Sequence, residues 1–154
     1  MSLYKIAESI EGSGLGQAIR QSDWAFPMIE IIHLIALATL GGSVLILSLG
    51  VFGVGLKLTP QETEVNSRPF IIGAVIALIV SGLLLGVSES VKLLDREAFL
   101  VKMIALALSL LFTFLVFFPM VRKGQTGVGV RAAAGVTMAL WFTVAMAGRW
   151  IGFS

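Results

Sequence analysis

Residues 31–56, IIHLIALATLGGSVLILSLGVFGVGL, contain no Asp, Glu, Lys or Arg. A helix rises about 1.5 Å per residue, so roughly 20 residues cross the hydrocarbon of a bilayer, and this stretch is long enough to span once. Three further uncharged stretches follow at 69–88, 103–121 and 132–148, joined by short polar segments. Lipid offers no partner to a backbone N–H or C=O, and runs of this length are too continuous for barrel strands, so all of them are expected to be helical. The fold class read from the sequence is all-α: one domain over 1–154, a bundle of four transmembrane helices at about 27–54, 69–91, 98–120 and 130–151. Four crossings put both termini on one side.

Composition gives the same answer independently. The chain has 154 residues, 57% hydrophobic and 13% charged, whereas a soluble domain carries about a quarter charged residues. A soluble core of this size cannot hide so much apolar surface, and the lipid bilayer is the solvent that accepts it. The net charge of +2 is scattered, with no basic tract, so no nucleic-acid partner is expected. There is no cysteine, which excludes disulfides, thiolate metal sites and cysteine nucleophiles.

The boundaries carry helix punctuation. Ser22 and Asp23 precede Trp24, and Pro27 suits a first helical turn. Pro69 is expected to open the second span in the same way. Pro119 lies near the end of the third, where Arg122, Lys123 and Gly124 read as an exit from the membrane. The first span exceeds the hydrocarbon thickness and must tilt, kink or protrude, with Gly41-Gly42-Ser43 as its weak point. Gly82 with Gly86, and Gly135 with Ala139, are small residues one turn apart that let helices approach closely. Ahead of the spans, Leu3, Ile6, Ile10, Leu15, Ala18 and Ile19 recur at helical spacing among Lys5, Glu8, Glu11 and Arg20. This pattern predicts an interfacial helix over about 3–21, weakened by Gly12, Gly14 and Gly16. It lacks the apolar core and cleavage site of a signal peptide. Lys57, Arg68, Arg122, Lys123 and Arg131 fall on one side, and Lys5, Arg20, Lys92 and Arg96, with Arg149 close by, on the other. The balance is close; the cluster Arg122, Lys123, Arg131 favours termini on the periplasmic side.

Placing polar residues by depth is the informative step. Glu30 and His33 lie near the start of the first span, Glu89 near the end of the second, Lys102 near the start of the third and Arg149 at the end of the fourth. All five fall in one leaflet, and the opposite leaflet reads as empty of charge. Ionisable groups at such depth are costly and are expected to turn inward and pair. The three-residue spacing puts Glu30 and His33 on a shared face. Each residue also has an ordinary reading: Lys102 and Arg149 can snorkel to headgroups, Glu30 can sit near the interface, and Trp24 and Trp150 can form an aromatic belt. His33 is the sole histidine, so a bis-His haem within one chain is impossible. The options for a haem b are His33 alone, His33 with a methionine such as Met146, or two copies of His33 across a dimer, with Lys102 and Arg149 on the propionates. Copper through His33 and a thioether is allowed by ligand chemistry, without a Met cluster to support it. No phosphate loop or nucleophile motif is present.

The run Trp24-Ala-Phe-Pro-Met-Ile-Glu30-Ile-Ile-His33-Leu, with Gly41-Gly42-Ser43, Phe99-x-x-Lys102 and Gly148-Arg149-Trp150-Ile151, resembles a bacterial family of small four-helix membrane proteins of unknown function. The resemblance covers nearly the whole chain and implies a fold without an activity. A more distant likeness is to copper-resistance protein D membrane domains and cytochrome b561-like helices, through the His-Leu-x-x-x-Ala-x-x-x-Gly-Gly texture; this chain departs from those in length and in its single histidine.

The expectation drawn from these readings is a non-catalytic protein of the bacterial inner membrane, or an electron-transfer subunit if redox-active. It would bind a cofactor or metal, haem first and copper second, through Glu30, His33, Glu89, Lys102, Arg149 and Met146, with His33 as the metal ligand. It would act as a homo-oligomer or beside other membrane subunits. The alternatives are a small proton-coupled transporter using Glu30 and a purely structural membrane subunit.

Overall fold

The computed structural model describes residues 3–55, 57–94 and 97–151; Leu56 and Arg96, both used above, lie outside the described residues. The elements are α1 (Leu3–Glu11), α2 (Gly14–Gln21), α3 (Ala25–Phe52), α4 (Pro60–Ser88), α5 (Ser90–Leu94), α6 (Glu97–Phe112), a π-helical turn (Thr113–Phe117), α7 (Phe118–Arg122) and α8 (Val128–Ile151). Four helical stretches are long and apolar enough to cross a membrane: Ala25–Phe52, Pro60–Ser88, Phe99–Arg122 and Val128–Trp150. The protein is a multi-pass membrane protein. Side chains such as Ile35, Ile46, Ile76, Leu83, Leu108, Leu115 and Phe142 are exposed around the bundle, as contact with lipid requires.

Helix α3 packs on α4 and on α8, α8 packs on α6, and α7 returns to α4, so the ring closes at the α7 end. At the other end α6 makes no comparable contact with α4. The core runs down the middle through Leu40, Val44, Leu47, Ile71, Phe117, Phe118 and Val144. Near its centre Trp141 Nε1 donates to Thr113 Oγ1 at 3.0 Å, tying α8 to the π turn.

Local chemistry explains where the spans begin and bend. Helix α3 starts at Ala25, whose N–H donates to Ser22 Oγ at 3.1 Å. It runs unbroken through Gly41-Gly42-Ser43, so that triplet is not a break; the 28-residue helix, about 42 Å long, is accommodated whole by tilting or protruding. Helix α4 corrects the reading of Pro69. A capping box at Thr59 and Glu62 with Pro60 in the first turn starts the helix nine residues earlier than Pro69, which lies inside it. In the third span Pro119 has no N–H and its ring crowds the carbonyl one turn back. The preceding turn widens, and Phe118 N–H reaches Thr113 C=O, a π bulge that lets the helix continue through the proline. Spans one and three both end in Schellman turns on left-handed glycines, Gly53 (φ 75°) and Gly124 (φ 65°).

The N-terminal arm is two helices, not one. Ser13 breaks it and caps α2, accepting from Gly16 N–H at 3.3 Å. The arm also docks on protein, α1 against α5 and α2 against α4. A Cβ at Gly16 would stand 3.0 Å from Val87 C=O, so glycine permits that contact. Glu11 accepts from Val91 N–H at 2.9 Å and pairs with Arg20.

The early start of α4 also overturns the expectation that one leaflet lacks charge. Glu64 is 1% exposed and accepts from Arg122 Nε at 2.9 Å and Nη2 at 2.7 Å. The guanidinium also lies 5.8 Å from the Phe118 ring centroid. Arg122 keeps contact with solvent while Glu64 has none, so removing the arginine strands a buried charge and removing the glutamate does not. Arg122→Leu is expected to destabilise the purified protein by about 3 kcal/mol, Glu64→Leu by less, and the double substitution should recover part of the loss. Thermal unfolding in detergent measures all three; equal unfolding temperatures for Arg122→Leu and the parent would disprove the pairing.

Candidate functional site

The antiparallel packing of α3 on α4 brings His33 to the level of Ser81, and α6 brings Lys102 to the same level beside Gly148 of α8. His33 lies about 12 Å along α3 from its first residue, Ala25. Its Nδ1 is 2.8 Å from Ser81 Oγ, and its Nε2 is 3.4 Å from Lys102 Nζ. Ser81 is buried and donates its hydroxyl hydrogen to Ala77 C=O at 2.5 Å. With that hydrogen committed, Ser81 Oγ can only accept from His33, so Nδ1 carries the proton. Lys102 can only donate, so Nε2 must present a lone pair. Both constraints select the same neutral tautomer.

Two glycines flank the pair. A Cβ at Gly82 would stand 3.4 Å from His33 Cε1, and a Cβ at Gly148 would stand 3.5 Å from Lys102 Nζ. The imidazole therefore approaches α4 at Gly82, and the lysine stem lies against α8 at Gly148. Of the Gly82/Gly86 pair, Gly82 serves a side chain and Gly86 meets nothing within 4 Å. Among the described residues no carboxylate forms an ion pair with Lys102. The ammonium is half-buried in a membrane-spanning helix beside one neutral acceptor.

The other expected residues fall elsewhere. Glu30 shares the helix with His33, but a three-residue step turns it about 60° away, and it is exposed. Glu89, at the C-terminal cap of α4, accepts from Lys92 Nζ at 3.2 Å on the surface. Met146 is exposed on α8. Arg149 follows Gly148 at the level of the cluster and is exposed, engaged in an interaction of its own. The structure thus joins His33 and Lys102 and adds Ser81, with Gly82 and Gly148 beside them; among the described residues no ion pair links Glu30 or Glu89 to the cluster. Among the described residues no three His, Asp or Glu gather as a metal group. A bond from His33 Nε2 to a metal would require Lys102 to move aside, whereas the Nδ1–H bond to Ser81 could stay in place.

A family model described as "Family of unknown function (DUF6644)" matches residues 13–154, and the chain belongs to that family. Comparison with curated proteins and with solved structures returns no match. The likeness to copper-resistance protein D and cytochrome b561-like helices finds no counterpart there.

His33 supplies the chain's only imidazole signals, so nitrogen NMR of histidine-labelled protein reads this site without assignment. The parent is expected to show the Nδ1–H tautomer at neutral pH. Ser81→Ala removes the acceptor and should shift the population towards Nε2–H; an unchanged spectrum would refute the tautomer assignment.

Proposed function

We propose that this member of a membrane family without an assigned activity is a non-catalytic ligand-binding protein, and that the His33–Lys102 pair receives an anionic group, a carboxylate or a phosphate. The observation that carries the reading is the Lys102 ammonium, half-buried and without a carboxylate partner among the described residues. An ammonium has three donors, and His33 Nε2 takes one of them at a long 3.4 Å. Charge in hydrocarbon is retained where it meets an opposite charge, and an incoming anion supplies that charge. The low dielectric strengthens the attraction relative to water.

Haem and copper are poorer readings because the Lys102 ammonium faces His33 Nε2, the nitrogen that would have to bind the metal, and would be repelled by a cation there. A transporter built on Glu30 has no support from its exposed position. The proposal places the site and both termini on the periplasmic side of a bacterial inner membrane, supported by the exposed Lys123 and Arg131 at the opposite end.

Butyrate added to the protein in nanodiscs should shift the His33 nitrogen signals saturably, and neutral butyramide should not. Lys102→Gln should weaken the response at least tenfold, about 1.4 kcal/mol, and Lys102→Arg should retain most of it. Equal responses to butyrate and butyramide, or none to either, would refute the reading.

A further inference from the structure

One feature outside the polar cluster points to the rest of the ligand. A cavity of about 400 Å³ opens between α3 and α8, walled by Leu37, Gly41 and Leu45 on one side and Met138, Phe142 and Ala145 on the other, with Trp141 at its back. The volume is within the usual range of ligand pockets, about 300–1,000 Å³. It begins one turn inward of the cluster on both helices, at Leu37 after His33 and at Ala145 before Gly148. The groove therefore starts one helical turn, about 5 Å, from the level of the cluster and runs away from it along α3 and α8.

Its lining offers nothing to a polar ligand. The one polar side-chain atom among the residues named, Trp141 Nε1, is spent on Thr113, so the indole presents carbon. Its shape selects the occupant. From Leu37 to Leu45 the axis runs about 12 Å, which spreads the 400 Å³ over a cross-section of about 33 Å². A helix with its side chains is about 10 Å across or more, close to 80 Å², and does not fit. That section is nearer to a single hydrocarbon chain than to a helix.

We infer that the site binds a long-chain fatty carboxylate, its head at Lys102 and His33 and its chain in the α3–α8 groove. This inference rests on the anion site proposed above and extends it.

The test uses Trp141 as reporter. Trp24→Phe and Trp150→Phe leave it as the only indole of the three, and dibromostearate in nanodiscs quenches it on contact. Quenching is expected to saturate at low mole fraction, with half-quenching shifted at least tenfold upward by Lys102→Gln. Gly41→Leu should abolish the saturable part; Gly41 lines the groove and a Cβ there meets nothing within 4 Å, so the side chain can start into the groove from an unobstructed Cβ. The butyrate response of His33 should survive Gly41→Leu. If butyrate still binds but dibromostearate quenches only in proportion to its bulk content, the chain assignment fails and the anion site stands. If the methyl ester saturates as the acid does, the groove holds a chain that needs no anion, and the inference fails while the butyrate response alone decides the anion site. Saturation by brominated phosphatidylcholine would make the occupant an ordinary bilayer lipid and would overturn the inference too.

Discussion

Lipid as solvent imposes one rule from which the rest of this structure follows: every backbone polar group must find its partner inside the chain. Helices satisfy the rule, and they leave little else to hold the bundle together, since apolar helix faces gain nothing by leaving lipid for one another. Packing shape and a few polar ties must supply the register. The hydroxyls show how sparingly polarity is used: Ser81, Ser109 and Thr137 each donate to a carbonyl of their own helix. Contacts between helices are fewer and are spread along the axis: Glu64 with Arg122 at one end, Trp141 with Thr113 near the centre, and His33 with Ser81 and Lys102 at the other end.

The two ends differ in kind. Glu64 and Arg122 form a matched acid and base, bonded through two nitrogens and covered by Phe118. Its charge is balanced internally, and nothing further is needed there. At the His33 end a cation meets a neutral ring, so positive charge remains inside the membrane without an internal balance among the described residues. A structural tie would be cheaper with an acid in place of the imidazole, by the same reasoning that makes an unpaired buried charge costly. That difference is what separates the two ends: one closes its charge internally, and the other, among the described residues, does not.

Much of the fold was legible because the bilayer writes it into composition: uncharged runs near 20 residues read directly as spans. What failed was local. Pro69 looked like a helix start, yet Thr59, Pro60 and Glu62 form a better one nine residues earlier, and the shift carried Glu64 from a loop into a buried ion pair. The continuity of α3 through Gly41-Gly42 was not legible, because whether a glycine pair bends a helix depends on neighbours that the local sequence does not display. At the site, depth alone singled out His33 and Lys102. It could not separate them from Glu30, Glu89 and Met146, because depth fixes the level of a residue and leaves its rotation about the helix axis open. Ser81 lacked any signal of its own; only the antiparallel register of α3 and α4 places it opposite His33.

The polar cluster also works as an ordered sequence of donors. Ser81 gives its hydrogen to its own helix, so it can only accept from the imidazole. The imidazole then turns a lone pair towards Lys102, and that lone pair holds the ammonium at the seam between α3 and α8 instead of letting it snorkel to water. A serine on α4 thus sets where a charge on α6 is displayed. The ring lies beside Gly82 of one helix and the lysine stem beside Gly148 of another, at distances where an added Cβ would make ordinary contact. The only partner so placed beside Lys102 among the described residues is a neutral nitrogen and not a carboxylate, so the cation is held in place while most of the ammonium's bonding capacity stays unspent.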